Sequence, residues 1–191
     1  MTKIAIFISG RGSNMEAVIR EVNSGILKGI AEIVLVFSNN PDAAGLKTAA
    51  DSGIRIACIN SKGKKRKLFD NEVINMLEYI EFDYIILAGY MRILSENFVN
   101  TYPKRIINIH PADTIHHQGL HAYEWAFNNN LNETKITIHY VDAGVDSGEI
   151  IAQTAVDLNH VKSLKEVELR GLSVEHKFYS ETLRKLFEKN N

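Results

Sequence analysis

Short, continuous apolar runs alternate along the first half of the chain with longer segments whose apolar residues recur every three or four positions. The runs lie at residues 4–8, 33–37, 54–59 and 84–88. Helical spacing is found around residues 15–19, 43–50 and 68–80. Continuous apolar runs of this length are typical of strands that are covered on both faces. Strands that alternate with helices in this way predict a right-handed, mostly parallel sheet.

The pattern changes in the second half of the chain. Strands are predicted at residues 106–110, 135–141 and 149–156, and a helix at residues 122–127. The last two strands are joined by a short glycine-containing loop, which favours antiparallel pairing. Ser163 and Glu166 form a capping box that begins a helix running to about residue 189. We therefore predict an α/β, Rossmann-like fold in a single domain over residues 1–191. It has a mostly parallel twisted sheet, helices on both faces and an antiparallel C-terminal strand pair.

Composition and charge exclude several classes of protein. The chain has 191 residues, 45% of them hydrophobic, and its 22 Lys and Arg nearly balance its 23 Asp and Glu. This balance argues against a nucleic-acid or membrane partner, and we interpret the basic run at residues 62–67 as a solvated loop. The N-terminal apolar run is too short for a signal peptide, so we expect a cytoplasmic protein. Cys58 is the only cysteine, which excludes an internal disulfide, and its apolar neighbours predict a buried structural thiol.

The predicted strand at residues 106–110 carries the most suggestive polar pair. Asn108 and His110 lie two positions apart, and Pro111 then ends the strand. Residues two apart share a face, and the carboxyl ends of strands are where open α/β sheets bind ligands. An imidazole transfers protons near neutral pH, and an amide stabilises a developing oxyanion. A catalytic pair and a pair that only satisfies local backbone groups are both open at this point.

A glycine-rich turn follows the first predicted strand. Gly10 and Gly12 precede Ser13 and Asn14, and a helix begins there. Strand, glycine turn and helix direct backbone N–H groups at an anion. A dinucleotide fingerprint needs a third glycine where Met15 stands, and no Gly-Lys-Ser/Thr motif occurs, so a bound monophosphate fits better than NAD or ATP. A tight turn without a ligand is the alternative.

The remaining histidines and the tryptophan have less specific patterns. His116, His117 and His121 lie in one polar segment without metal-ligand spacing, so we predict exposed loop residues and no metal site. We predict that His139 belongs to a polar core rather than to a cleft. Trp125 is predicted to pack in the core rather than to serve as a stacking platform.

Several separated motifs together resemble the phosphoribosylglycinamide formyltransferase family and, more loosely, other formyltetrahydrofolate-dependent formyltransferases. The motifs lie at residues 8–14, 37–39, 87–94, 108–111, 146–148 and 175–176. Their order covers nearly the whole chain, which makes accidental agreement improbable. The resemblance implies transfer of the formyl group of 10-formyltetrahydrofolate to the amine of phosphoribosylglycinamide in purine synthesis. It also implies small-molecule substrates only, in a monomer or weak homodimer.

The resemblance also implies roles for individual residues. The catalytic residues would be Asn108, His110 and Asp146. The phosphate of the acceptor would be bound by Gly12, Ser13 and Asn14, and its sugar by Glu175. The pocket of the folate donor would be lined by Arg66, Met91, Arg92, Ile93, Leu94 and Asn108.

The implied chemistry leads to an electrostatic expectation. Attack of an amine on the formyl carbonyl creates an oxyanion, which Asn108 and a protonated His110 would stabilise. We expect the carboxylate of Asp146 to raise the pKa of His110 and so to favour that charged form. His110 or a relayed water would then protonate the leaving folate nitrogen.

The chain departs from the family pattern in two places near these residues. The family usually carries Ser-Leu-Leu-Pro after the catalytic strand, where this chain has residues 112–118, and Gly-Thr where this chain has Lys135 and Ile136. Loops tolerate such change, but it leaves open a relative that binds folate or nucleotide with little turnover. A formyltetrahydrofolate hydrolase is a second alternative, although water as the acceptor needs no phosphate loop. A transferase acting on initiator tRNA would require a basic C-terminal domain.

Overall fold

The computed structural model of the chain describes residues 1–190. The strands are β1 (Thr2–Ile8), β2 (Ala31–Ser38), β3 (Ile56–Cys58), β4 (Tyr84–Leu87), β5 (Ile106–His110), β6 (Glu133–Tyr140) and β7 (Ile150–Asp157). The helices are α1 (Ser13–Ser24), α2 (Ala44–Asp51), α3 (Arg66–Leu77), α4 (Glu96–Thr101), α5 (Ala122–Asn128) and α6 (Leu164–Asn190). The last residue of the predicted domain, Asn191, lies outside the described residues.

All seven strands form one sheet in the order β3-β2-β1-β4-β5-β6-β7. The first five strands in this order run parallel, and β6 and β7 are antiparallel to their neighbours. This topology confirms the predicted Rossmann-like α/β fold and its antiparallel C-terminal strands. The direction of strand succession reverses between β1 and β4, and ligands of open α/β sheets bind at such a switch point.

Helices cover both faces of the sheet because the central strands are apolar on both sides. In β1, Ile4, Ile6 and Ile8 pack with α1, α2, α5 and α6 on one face. Ala5 and Phe7 point to the other face, where they pack with α3 and α4. This alternation explains why the first apolar run is continuous, as expected for a strand buried on both faces.

The predicted strand at residues 54–59 is longer than the strand that forms. β3 contains three residues, lies at the edge of the sheet and pairs only with β2. Cys58 is exposed there, so the prediction of a buried thiol is wrong. The apolar run alone did not reveal that this strand has a neighbour on one side only. The short helix α4, which is capped by Ser95 (its side chain accepts from the Phe98 N–H), was also not predicted.

The predicted capping box does begin the C-terminal helix. The Ser163 side chain accepts from the Glu166 N–H at 3.3 Å, and the Glu166 carboxylate accepts from the Lys162 N–H at 2.6 Å. These contacts satisfy N–H groups that a helix leaves unpaired at its start. Among the described helices, none is both long and apolar enough to cross a lipid bilayer.

Candidate active site

β5 ends in a cavity of about 310 Å³ that lies at the carboxyl ends of β4 and β5. Asn108 and His110 both line it, as expected for residues two positions apart on a strand. His110 is only 4% exposed. His110 also contacts a local backbone group, as the alternative interpretation of this pair predicted, because its Nε2 atom lies 3.1 Å from the His117 carbonyl oxygen.

Asp146 reaches the same cavity from the loop between β6 and β7. Its Oδ2 lies 3.3 Å from Nδ1 of His110, and its Oδ1 accepts from the Asn108 amide at 3.2 Å. The N–H of Gly119 also donates to Oδ2, at 2.9 Å. Burial raises the pKa of Asp146, but the contact with His139 and the charge of His110 outweigh it and lower the pKa overall. The carboxylate is therefore ionised at neutral pH.

The pKa of His110 differs from the sequence-based expectation. Burial lowers the pKa most, His139 and the His117 ring lower it further, and together they outweigh the opposite effects of the Asp146 charge and the hydrogen bond with the His117 carbonyl. The expectation of a net raised pKa is therefore wrong. Asp146 does favour the imidazolium, but removal of the ring from water disfavours it more. With its pKa lowered in this way, His110 is mainly neutral at pH 7.

His139 is the residue at this site whose position the sequence analysis missed. It is 2% exposed, which confirms the predicted burial among polar groups, but it also lines the cavity, so the prediction that it does not face a cleft is wrong. Its Nε2 lies 3.3 Å from the Asn108 amide and 3.4 Å from Oδ1 of Asp146, and its Nδ1 lies 2.9 Å from the Tyr140 carbonyl. The alternation of β6 was visible in the sequence. Its register, which places His139 opposite Asn108, was not.

The segment after β5 contains a stack of three rings. The His117 ring lies 4.9 Å from Trp125 and 6.3 Å from His110, with an interplanar angle of 18° in both pairs. His117 is half-buried, so its predicted exposure is wrong, while the predicted exposure of His116 and His121 is confirmed. Trp125 packs against the core, as predicted, but it is also a stacking partner. Within residues 1–190, no group of three or more His, Cys, Asp or Glu is placed to hold a metal ion.

The glycine turn after β1 forms a second cavity, of about 240 Å³. Gly12 has a φ of +79°, which a glycine adopts without strain, and it directly precedes α1. The cavity is lined by residues 9–14 and by Ala88, Gly89 and Met91. Gly89 and Met91 also line the first cavity, so the two adjoin. The start of a helix of 12 residues at this position favours an anion, and we call residues 9–14 the anion turn.

Glu175 lies behind this turn rather than in either cavity. It is 4% exposed, accepts from the Asn14 amide at 2.5 Å, and also accepts from the Tyr123 hydroxyl. Asn14 itself lines the second cavity. In the ligand-free protein, Glu175 therefore orients Asn14, and its implied contact with a sugar stays a prediction.

The residues implied in folate binding fall into two groups. Met91, Arg92, Ile93 and Leu94 line the first cavity together with Asn108. Arg66 does not: it stands at the start of α3 and lines a separate open pocket with Ser95 and Glu96. The structure thus brings one group together with the catalytic candidates and places Arg66 outside their cavity.

The formyl transferase family model matches residues 2–183, and the chain belongs to this family.

The names of similar proteins are more specific than the name of the family. A phosphoribosylglycinamide formyltransferase of Bacillus subtilis is 34% identical over 192 residues, covering 100% of this chain and 97% of that protein. The crystal structure of the phosphoribosylglycinamide formyltransferase from Bacillus halodurans has a TM-score of 0.93 and 36% identity, covering 100% of this chain and 97% of that one. The trifunctional purine biosynthetic protein adenosine-3 of Drosophila pseudoobscura pseudoobscura is 41% identical over 157 residues. These are 82% of this chain, which spans only 12% of that longer protein.

Proposed function

We propose that the chain transfers the formyl group of 10-formyltetrahydrofolate to the amine of phosphoribosylglycinamide, a reaction of purine synthesis. The observation that carries this proposal is the arrangement of Asn108, His110 and Asp146 around a cavity that adjoins the anion turn. The names of the full-length relatives support the same substrates.

The acceptor is bound through its phosphate. The N–H groups at the start of α1, with Ser13 and Asn14, form a site for a phosphate group in the second cavity. The shared wall at Gly89 and Met91 lets the amine of the same molecule extend into the first cavity. The folate occupies the side of that cavity formed by residues 91–94.

The reaction begins with attack of the acceptor amine on the formyl carbon. Negative charge develops on the formyl oxygen, where the Asn108 amide stabilises it. Positive charge develops on the attacking nitrogen, which loses a proton to neutral His110. The resulting imidazolium lies beside the Asp146 carboxylate, at 3.3 Å in the ligand-free protein, and gives its proton to the leaving folate nitrogen.

A depressed pKa of His110 suits this role. A neutral ring accepts a proton in one step and returns it in the next, and Asp146 stabilises the charged form between them. The sequence analysis expected His110 to be protonated before the reaction begins. In the mechanism proposed here, His110 begins neutral and receives its proton from the amine of the acceptor. Exchange of an acyl group between two amines requires no redox step, and we expect no metal.

The hydrolase alternative is less favourable because an anion turn has no task when water is the acceptor. The two are separated by incubating the protein with 10-formyltetrahydrofolate, with and without phosphoribosylglycinamide, and measuring release of tetrahydrofolate. Release that requires the acceptor supports the proposal. Release without it identifies a hydrolase, and binding without release identifies a relative that has lost turnover.

We further propose that residues 1–191 form one catalytic domain that works on small molecules in the cytoplasm, as a monomer or weak homodimer. The single sheet and the match over residues 2–183 support one domain. Sedimentation at several protein concentrations tests the state of assembly.

A further inference from the structure

The two segments that depart from the family pattern contact each other in the folded protein. Nζ of Lys135, on β6, lies 2.7 Å from Oδ2 of Asp113, which follows β5. The Asp113 side chain is only 11% exposed, and that of Lys135 is 40% exposed. A carboxylate with so little access to water needs a partner of opposite charge.

The ion pair belongs to a larger polar contact between this segment and the antiparallel strands. The Thr137 hydroxyl donates to the Ala112 carbonyl at 2.7 Å, and the Gln153 amide donates to the Thr137 hydroxyl at 2.8 Å. Gln153 also lies 3.4 Å from Oδ1 of Asp113. Burial raises the pKa of Asp113, but Lys135, the Ile115 N–H and Gln153 together lower it, so the carboxylate is charged at neutral pH.

Asp113 also organises the backbone that follows it. Its side chain accepts from the Ile115 N–H at 3.1 Å, and its carbonyl accepts from the N–H groups of His116 and His117, both at 2.9 Å. These bonds form a compact turn that begins at the ion pair and ends at His117. Asp113 is therefore joined directly to the backbone of His117 by a hydrogen bond.

The far end of this segment contacts both catalytic side chains through its backbone. The His117 carbonyl faces Nε2 of His110 at 3.1 Å, and the Gly119 N–H donates to Oδ2 of Asp146 at 2.9 Å. We propose that the Asp113–Lys135 pair is a positioning device that holds residues 111–121 on β6 and so fixes the His110 ring and the Asp146 carboxylate relative to each other. The catalytic part of this inference rests on the proposed function, whereas the geometric part does not.

The test replaces Lys135 with Met, which keeps most of the length of the side chain and removes the charged amine. Because misplacement of a catalytic group by about 1 Å costs up to ~10²-fold, we expect kcat to fall by about tenfold while each KM changes less than about threefold. Lys135→Arg keeps the ion pair with Asp113, and we expect its kcat to equal that of the wild-type protein. Lys47→Met, which breaks an exposed Lys47–Asp51 pair on α2, is the matched control and leaves kcat unchanged.

A second readout does not depend on turnover. The groups that face His110 are Asp146, His117 and His139, and the His117 hydrogen bond raises its pKa. In Lys135→Met, loss of that bond lowers the pKa of His110 further, which an NMR titration of its ring protons in the ligand-free protein measures. A variant with the wild-type kcat and the wild-type titration overturns the proposal, as does a changed KM with an unchanged kcat. A wild-type protein without transferase activity refutes the proposed function. The titration still tests whether the Asp113–Lys135 pair positions the His110 ring.

Discussion

The two ends of the candidate site are built in different ways. The anion turn uses consecutive residues between β1 and α1, and the groups that we expect to bind the acceptor there are mainly backbone N–H groups. The catalytic end combines Asn108, His110, His139 and Asp146, which come from β5, β6 and the following loop and lie mostly out of water. We expect the first end to act through the N–H groups that its backbone directs at an anion. We expect the second to act through the opposing effects of burial and charge on the pKa values of its side chains. The turn should therefore control how tightly the acceptor binds, and the Asn-His-Asp group how fast it reacts.

The largest expected effect comes from removing the charge at the catalytic end. Asp146→Asn keeps the size of the side chain but no longer stabilises an imidazolium at His110, and acid–base catalysis by a positioned side chain typically contributes about 10²–10⁴ in rate. We expect kcat to fall by about that factor, with the thermal unfolding midpoint and KM for the acceptor nearly unchanged. Asp51→Asn, on the exposed surface of α2, is the control. A normally folded and fully active Asp146→Asn protein would remove Asp146 from the mechanism.

A smaller effect, on binding, is expected at the turn. Gly12→Ala places a Cβ in the left-handed region at φ +79°, 3.2 Å from Cε of Met15, and such strain costs about 1–2 kcal/mol. Relief of the strain by movement of the turn should raise KM for the acceptor by about tenfold and leave kcat within a factor of about three. Steady-state kinetics at saturating folate measure both constants.

Gly29→Ala separates strain from site geometry. Gly29 has a φ of +75° with open space around it, so the substitution should cost similar stability without raising KM. Equal KM values for Gly12→Ala and Gly29→Ala would mean that the turn does not bind the acceptor.

The pH dependence of stability tests the burial of the catalytic end. Burial lowers the pKa of His110 below its ordinary value of about 6.5, so the unfolded chain binds the proton more readily. The free energy of unfolding should therefore decrease as the pH falls from about 6.5 towards 5, above the range in which Asp146 takes up a proton in either the folded or the unfolded state. His176, whose pKa is also lowered by burial, contributes in the same direction. Urea unfolding of His110→Gln at several pH values should show a weaker decrease. An unchanged pH dependence would contradict a buried, neutral His110.

The smallest effect is expected far from both ends. Cys58 lies on the edge strand β3 and is exposed, so a thiol reagent should label it in the native protein. Because partial burial and Asp42 raise its pKa, labelling should be slower than for a free thiol. Formyl transfer by the labelled protein should equal that of the unlabelled protein. Loss of activity on labelling would require a link between β3 and the site that the contacts do not show.

Much of the fold was predictable because the signals are local. Continuous and alternating apolar runs identified the strands, and the glycine turn placed the start of α1. The edge position of β3 was not predictable, because the apolar run at residues 54–59 does not indicate whether the strand has one neighbour in the sheet or two. α4 has only six residues, too few to show a helical period.

Several residues of the candidate site were predictable from the sequence, but the pKa shifts and the contacts that folding produces there were not. The positions of Asn108 and His110 followed from strand geometry, and Asp146 from family resemblance. The direction of the pKa shift of His110, the position of His139 and the Asp113–Lys135 contact depend on register and burial. These join residues that are remote along the chain, and no local pattern encodes them.

In the proposed reaction, one substrate spans both ends of the site, held by its phosphate at the turn while its amine reacts beside His110. The most direct test compares kcat/KM for phosphoribosylglycinamide with that for the same acceptor without its phosphate, in the wild-type protein and in Gly12→Ala. We expect removal of the phosphate to lower kcat/KM by about 10²-fold in the wild-type protein, as for a lost charge-assisted contact, and by much less in the variant. Equal kcat/KM values for both acceptors in the wild-type protein would contradict the account.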